Sequence, residues 1–321
     1  MGKVVKKIII DGEEVLPGEK KIINLNIARL VSGTKINLPI FVFRSKKAGP
    51  TILLSGGLHG DEVNGVEIIR RMIKNKTFNN LKCGSIIAIP VLNIYGFLNF
   101  SREVPDGKDV NRSFPGSKRG SLASRVAYNI TNKILKEVDF GIDFHTGGAN
   151  RYNPPQSRYA PMDERAKEIA QIFNAPISLS AKLINGSLRK QAYQMGTTIV
   201  VYEGGESMRF NEEAILKGIE CTKKVLSHFG LIKDNFKVDK TVYCIESSWI
   251  RARRAGLMKS ITTSGEMVKK GQIMAKISDP FGKSEITIKA PKDGIIIGHS
   301  NAPLVNQGDA LFHLGIYEDS L

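Results

Sequence analysis

The sequence predicts an α/β layered domain followed by a small all-β domain. Three observations carry that prediction. Short buried runs alternate with amphipathic helical stretches from residue 51 to about residue 229. A polar, aperiodic segment, K-D-N-F-K-V-D-K (233–240), then interrupts the pattern. Beyond it the helical period is lost, and short extended runs are punctuated by Gly256, Gly265, Gly271, Gly282, Gly294, Gly298, Gly308 and Gly315. The expected division is a larger unit over 1–236 and an all-β unit over 237–321.

The elements follow in chain order. K-K-I-I-I, I-I-N-L-N-I-A-R-L and I-N-L-P-I-F-V-F-R in the first fifty residues hold alternating or β-branched runs, separated by D-G, P-G and S-G turn pairs. T-I-L-L-S (51–55) is a short buried strand ending in Gly56-Gly57. From 62 to about 76, Val63, Val66, Ile69 and Ile73 recur at helical spacing. S-I-I-A-I-P-V (85–91) is a second buried strand. Leu122, Val126, Ile130 and Ile134 place a helix over 121–138. A third strand covers 139–145, a helix 161–173, a fourth strand 198–202 (T-I-V-V-Y) and a helix 211–229. Ligands of such layered sheets gather at the carboxyl ends of the strands.

Composition narrows the function classes. Hydrophobic residues make up 41% and charged residues 24% of 321 residues, enough apolar material for a core. No apolar run approaches the roughly 20 residues needed to span a bilayer. The opening M-G-K-V-V-K-K-I-I-I-D-G-E-E is unlike a secretory signal, and Lys6 stands where a myristoylation signal wants Ser or Thr. A cytoplasmic protein without a membrane partner is expected. Cys83, Cys221 and Cys244 are odd in number and widely spaced, which excludes a disulfide framework and an all-cysteine zinc site. The formal charge of +16 divides into +13 over 1–236 and +3 over 237–321. The lysines are scattered and no aromatic, arginine-rich stretch accompanies them, so nucleic acid is not the expected partner. A small anionic ligand suits the balance.

Four segments carry chemistry. S-G-G-L-H-G-D-E-V-N-G-V-E (55–67) places His59 and Glu62 between a strand end and a helix start, where an imidazole and a carboxylate can converge on one point. V-D-F-G-I-D-F-H-T-G-G (138–148) closes a buried strand with His145. Of five histidines, only these two sit at strand ends beside paired glycines; His228, His299 and His313 read as ordinary. Two histidines and one carboxylate are a common catalytic zinc set. T-I-V-V-Y-E-G-G-E (198–206) offers Glu203 directly after the strand as a general base, with Glu206 as its rival. F-S-R-E-V-P-D-G-K-D-V-N-R-S-F-P-G (100–116) is a long polar loop bearing Arg102, Asn111 and Arg112. Arginine grips a carboxylate with two parallel hydrogen bonds, and Asn adds a neutral donor.

Taken together, G-G-L-H-G-D-E-V-N-G, S-R…D-V-N-R-S-F-P-G, D-F-H-T-G-G and V-Y-E-G-G-E resemble the succinylglutamate desuccinylase/aspartoacylase family, within the zinc carboxypeptidase-like superfamily, over residues 45–230. The resemblance implies a zinc-carboxypeptidase-like mixed sheet flanked by helices. It implies one zinc per chain on His59, Glu62 and His145, and Glu203 as general acid/base. It further implies that Asn111 and Arg112 hold a substrate carboxylate and that Arg102 polarises the scissile carbonyl. Arg189, upstream of Glu203, is a further candidate substrate arginine. The tail, with G-E-M-V-K-K-G-Q, A-P-K-D-G and V-N-Q-G-D, resembles a biotinyl/lipoyl-type barrel-sandwich. Lys283 falls near the place of a carrier lysine, but its turn S-D-P-F-G-K-S lacks the carrier's flanking residues, so the tail is expected to be structural and to shape the mouth of the site.

The expected function is therefore zinc-dependent hydrolysis of a small N-acyl amino acid or related carboxylate-bearing amide. The alternative is a zinc carboxypeptidase acting on short peptides, with the same metal and base. A homo-oligomer is left open by the sequence.

Overall fold

The computed structural model describes residues 6–29 and 31–317. The first five residues, on which the reading of the N-terminal signal partly rests, lie outside them. β1 (Ile8–Ile10) and β2 (Glu13–Val15) form a small hairpin. Next come β3 (Lys20–Arg29), β4 (Lys35–Arg44), β5 (Thr51–Ser55), α1 (Val63–Lys74), β6 (Ser85–Ile89), α2 (Ile94–Leu98) and α3 (Leu122–Asn129). They are followed by β7 (Phe140–Gly147), β8 (Arg151–Tyr159), α4 (Glu164–Phe173), β9 (Ile177–Ser180), α5 (Leu188–Gln194), β10 (Thr198–Glu206) and α6 (Glu212–His228). After a segment without helix or strand, the chain continues as β11 (Val242–Arg251), β12 (Gly256–Ser260), β13 (Met267–Val268), β14 (Ile273–Ser278), β15 (Glu285–Lys289), β16 (Gly294–Ser300), β17 (Leu304–Val305) and β18 (Ala310–Tyr317).

Among the described residues, twelve strands form one mixed sheet in the order β13-β16-β18-β11-β9-β8-β10-β7-β5-β6-β4-β3. The middle, β10-β7-β5-β6, is parallel, and β8 lies antiparallel against β10. β5 and β6 are buried along their whole length, as strands covered by helices on both faces must be. Their alternate side chains serve two cores. Leu53, Ile87 and Ile89 pack with Val126 of α3 and Leu188 of α5, while Ile52, Leu54 and Ile86 pack with Ile68 of α1, Ile169 of α4 and Val225 of α6. β12, β14, β15 and β17 form a second sheet, whose Met274, Ile277 and Ile288 share a core with Phe312 of β18.

The expected helices over 62–76, 161–173 and 211–229 appear as α1, α4 and α6. The last two begin where Asp163 and Asn211 accept backbone N–H bonds from Ala166 and Ala214. The helix expected over 121–138 is regular only to Asn129; a wide turn (130–134) and a tight one (135–137) replace its second half. There Asn129 and Asn132 donate side-chain amides to the carbonyls of Arg125 and Tyr128, in competition with the helical ladder. The fourth strand does not stop at 202. It runs on to Glu206 through a bulge, so Glu203 lies inside β10 rather than beyond it.

Candidate active site

β5 ends at Ser55, and the chain reaches His59 through Gly56, Gly57 and Leu58 before α1 begins. Gly57 has φ +57°, in the left-handed region that glycine occupies without strain. Gly60 packs so closely on α2 that an added Cβ would stand 1.9 Å from the Gly96 carbonyl carbon. This tight turn leaves both His59 and Glu62 buried, at 4% and 2% exposure. β7, the parallel neighbour of β5, delivers His145 to the same place.

Three side chains converge there. His59 Nδ1 lies 2.7 Å from Glu62 Oε1, and His145 Nδ1 lies 2.9 Å from Glu62 Oε2. The two Nδ1 atoms are 3.3 Å apart. Burial alone would depress the His59 pKa, but Glu62 and Asp109 outweigh it and raise it. Likewise burial opposes the charge on His145, and Asp143 and Glu62 hold that imidazole well above its ordinary value. Burial would also raise the Glu62 carboxyl, yet His59 and His145 keep it well below the usual carboxylate range.

The donor set fits a metal. One ligand atom from each of His59, Glu62 and His145 lies within 4.8 Å of the others, and the N, N, O chemistry suits zinc. The outer partners fit as well. His145 Nε2 is 2.8 Å from Asp143 Oδ2, and Asp143 Oδ1 accepts a 2.6 Å bond from Ser55 Oγ. A carboxylate on the far nitrogen fixes the ring so that Nδ1 presents its lone pair to the site. His59 Nε2 is buried 3.4 Å from Asp109 Oδ1, without a well-aligned hydrogen bond.

The other expected residues line the same cavity, of about 390 Å³. Arg102 donates from Nε and Nη2 to Asp109 Oδ2, which leaves Nη1 3.2 Å from His59 Nδ1 and 3.6 Å from Glu62 Oε1. Asp109 is a hub. Burial would raise its carboxyl, but His59 and Arg102 outweigh burial and lower it, and its Oδ1 accepts the Asn111 backbone N–H. The Asn111 side-chain oxygen caps α5 by accepting Leu188 N–H at 2.9 Å, so its amide nitrogen is the group left to meet a ligand. Arg112 Nη1 donates to the Asn111 carbonyl at 2.7 Å while the side chain is 45% exposed. Arg189 on α5 donates Nη2 to the carbonyls of Ala181 and Lys182, and its buried Nη1 has no hydrogen-bond partner among the described residues. Burial, and then Arg158, lower its pKa to about 10, so it stays cationic at neutral pH.

Glu203 also faces the cavity; Glu206 does not line it. Glu203 Oε2 accepts from Asn153 Nδ2 at 2.9 Å, and Oε1 is 3.1 Å from Arg158 Nη1. Glu206 is instead engaged by Asn301 Nδ2 at 2.8 Å.

Several lining residues were not singled out by the sequence. Asp143 stands two residues before His145, and the two-residue period of a strand puts both on one face. That signal was available. Asn153 and Arg158 fall in R-Y-N-P-P-Q-S-R-Y, whose paired prolines read as loop. Trp249 comes from β11, beyond the polar segment. It stacks on His313 with centroids 4.2 Å apart, while the Arg151 guanidinium lies 5.5 Å from its centroid.

The chain is similar to known proteins. Residues 48–229, more than half of the chain, match the succinylglutamate desuccinylase/aspartoacylase catalytic domain. The chain is 26% identical over 305 residues to the N-alpha-acetyl-L-2,4-diaminobutyric acid deacetylase of Halomonas elongata, covering 89% of this chain and 87% of that one. The product-bound ectoine utilization protein of Ruegeria pomeroyi superposes with a TM-score of 0.84 at 23% identity, covering 94% of this chain and 97% of that one. A succinylglutamate desuccinylase/aspartoacylase from Rhodobacter sphaeroides superposes at 0.82 with 24% identity, covering 93% and 96%. These two likenesses concern the fold.

Proposed function

The chain belongs to the succinylglutamate desuccinylase/aspartoacylase family, and from that premise we propose that it hydrolyses the amide bond of a small N-acyl amino acid with zinc as its metal. The observation that carries the reading is the convergence of His59, Glu62 and His145 in a cavity whose lining also holds Arg102, Arg112, Arg158 and Arg189. A zinc ion on the three ligands would supply Lewis acidity toward the acyl oxygen and acidity to a water. Glu203 accepts a proton from the attacking water as the water oxygen bonds to the acyl carbon, and passes that proton to the amine as the C–N bond breaks. Arg102 Nη1 donates to the acyl oxygen as negative charge develops there. The Asn111 amide and the Arg112 guanidinium hold the substrate's carboxylate. The products are a carboxylate and a free amino acid.

The cavity favours a small amide over a peptide. Its volume of about 390 Å³ lies near the lower end of small-molecule sites, and Trp249 walls one side. The test is a hydrolysis screen of zinc-loaded protein on N-acetyl, N-succinyl and N-formyl amino acids beside short peptides. N-alpha-acetyl-L-2,4-diaminobutyric acid, after which the Halomonas relative is named, belongs in it. One zinc per chain, lost in His59→Ala and in His145→Ala, is expected. Peptides cleaved faster than every N-acyl amino acid would sink the reading.

A further inference from the structure

Asn153 and Arg158 are five residues apart, so a regular strand would turn them to opposite faces. β8 is not regular. Its Gln156 pairs with Glu203 and its Asn153 with Gly205, so three steps along β8 match two along β10. The additional residue, at Pro154-Pro155, reverses the alternation and lets both side chains reach one carboxylate. Asn153 donates Nδ2 to Glu203 Oε2 at 2.9 Å, and Arg158 Nη1 stands 3.1 Å from Oε1. Oε2 thus accepts a hydrogen bond from β8, Oε1 is held in an ion pair from the same strand, and both keep lone-pair capacity for water. Asn153 is 6% exposed. Room for it is left by β16, where a Cβ on Gly298 would lie 2.7 Å from Asn153 Oδ1.

We propose that Asn153 and Arg158 are positioning residues that fix the plane of the Glu203 carboxylate, one oxygen each, through the bulge of β8. The inference rests on the reading of Glu203 as the base. Arg158 acts through Glu203 and not on the substrate.

The experiment is a double-mutant cycle on the zinc-loaded enzyme with its best substrate. Asn153→Ala, Arg158→Ala and Arg158→Lys are made alone and on a Glu203→Gln background. Alone, the two Ala variants should lower kcat by up to roughly 100-fold with KM within about twofold, since a misplaced reacting group costs rate rather than affinity. Arg158→Lys should recover part of the loss by reaching one oxygen. Zinc content should be unchanged. On Glu203→Gln, the same substitutions should cost less than about twofold, because residues acting through one group are not additive. A rise in KM at constant kcat, or a full loss on the Glu203→Gln background, would mark direct substrate contacts and overturn the proposal. Wild-type rates in both Ala variants, with Glu203→Gln slow, would overturn it while leaving the function intact. A fast Glu203→Gln enzyme, or a wild type that hydrolyses no acyl amino acid, would remove the base assignment and this inference together. If Arg158→Ala fails to fold, Asn153→Ala and Arg158→Lys still decide.

Discussion

Glu203 and Glu206 sit three residues apart on one strand in opposite circumstances. Glu203 opens onto the arginine-lined cavity, whereas Glu206 is tied to Asn301 of the C-terminal region. Glu203→Gln should retain zinc and lose roughly 10²–10⁴-fold in rate, the usual contribution of a general base. Glu206→Gln should stay within about threefold of the wild type, since it gives up part of one hydrogen bond away from the cavity. Parallel kcat and zinc measurements decide, and a dead Glu206 variant would reverse the assignment. His313 supports a second expectation. Burial, then Arg158 and Arg151, push its imidazole down to about 3. The folded chain keeps it neutral while the unfolded chain takes up a proton near pH 6.5, so the unfolded form binds more protons between those values. Stability from this group is therefore undiminished above about pH 6.5 and falls as the pH drops below it, by about 2 kcal/mol at pH 5. His313→Phe should show a shallower fall of urea midpoint between pH 7.5 and pH 5. Equal slopes for the two proteins would count against a buried neutral imidazole.

At the scale of elements, the turn from β5 into α1 depends on Gly60. Its missing side chain lets the turn lie on α2, and an added Cβ would meet the Gly96 backbone at 1.9 Å. Gly60→Ala must displace the turn that carries His59 and Glu62. It should lower zinc affinity by roughly 10-fold or more, as loss of ligand orientation does, together with Tm. Metal titration and a thermal scan measure both, and a variant unchanged in each would show that the turn yields at no cost. The same elements show what was legible. His59, Glu62 and His145 lie in segments where paired glycines adjoin buried or periodic runs, and the structure brings these three together, whereas Glu203, expected just past its strand, lies within β10. β8 escaped notice because Pro154-Pro155 reads as a break, although a bulge is where a sheet tolerates proline. α5 is short and takes its cap from Ser187 and from Asn111, a residue 77 positions away, and no local pattern records the second. Arg189 was therefore placed near the site without an element to hold it.

For the whole molecule, the large sheet does not end with the segment that matches the family. β11 pairs with β9 in parallel at Val242–Ile177, and His299 of β16 pairs with Tyr152 of β8. We propose that the units 1–236 and 237–321 unfold as one body because these ladders join them. The expected tail that shapes the mouth has a concrete member in Trp249, which lines the cavity from β11. Trp249→Ala should widen the cavity and raise kcat/KM for a bulkier acyl group relative to acetyl by roughly 10-fold, the scale on which apolar pockets discriminate. An unchanged ratio would show that Trp249 does not limit the size of the acyl group. Lys283 lies in the exposed turn between β14 and β15, where Asp279 accepts the Phe281, Lys283 and Ser284 backbone N–H groups.

Trp249 is also the one tryptophan in the chain. Its indole lies flat against an imidazole, below a guanidinium, on the wall of the cavity. Excited beyond the absorption of the 8 tyrosines, the intrinsic fluorescence of the protein therefore comes from a single point at the seam of the two units. A ligand entering the cavity and the parting of β9 from β11 would each change the light emitted from that point, the first with saturation and the second with denaturant. Occupancy and integrity can thus be followed optically in the unlabelled protein.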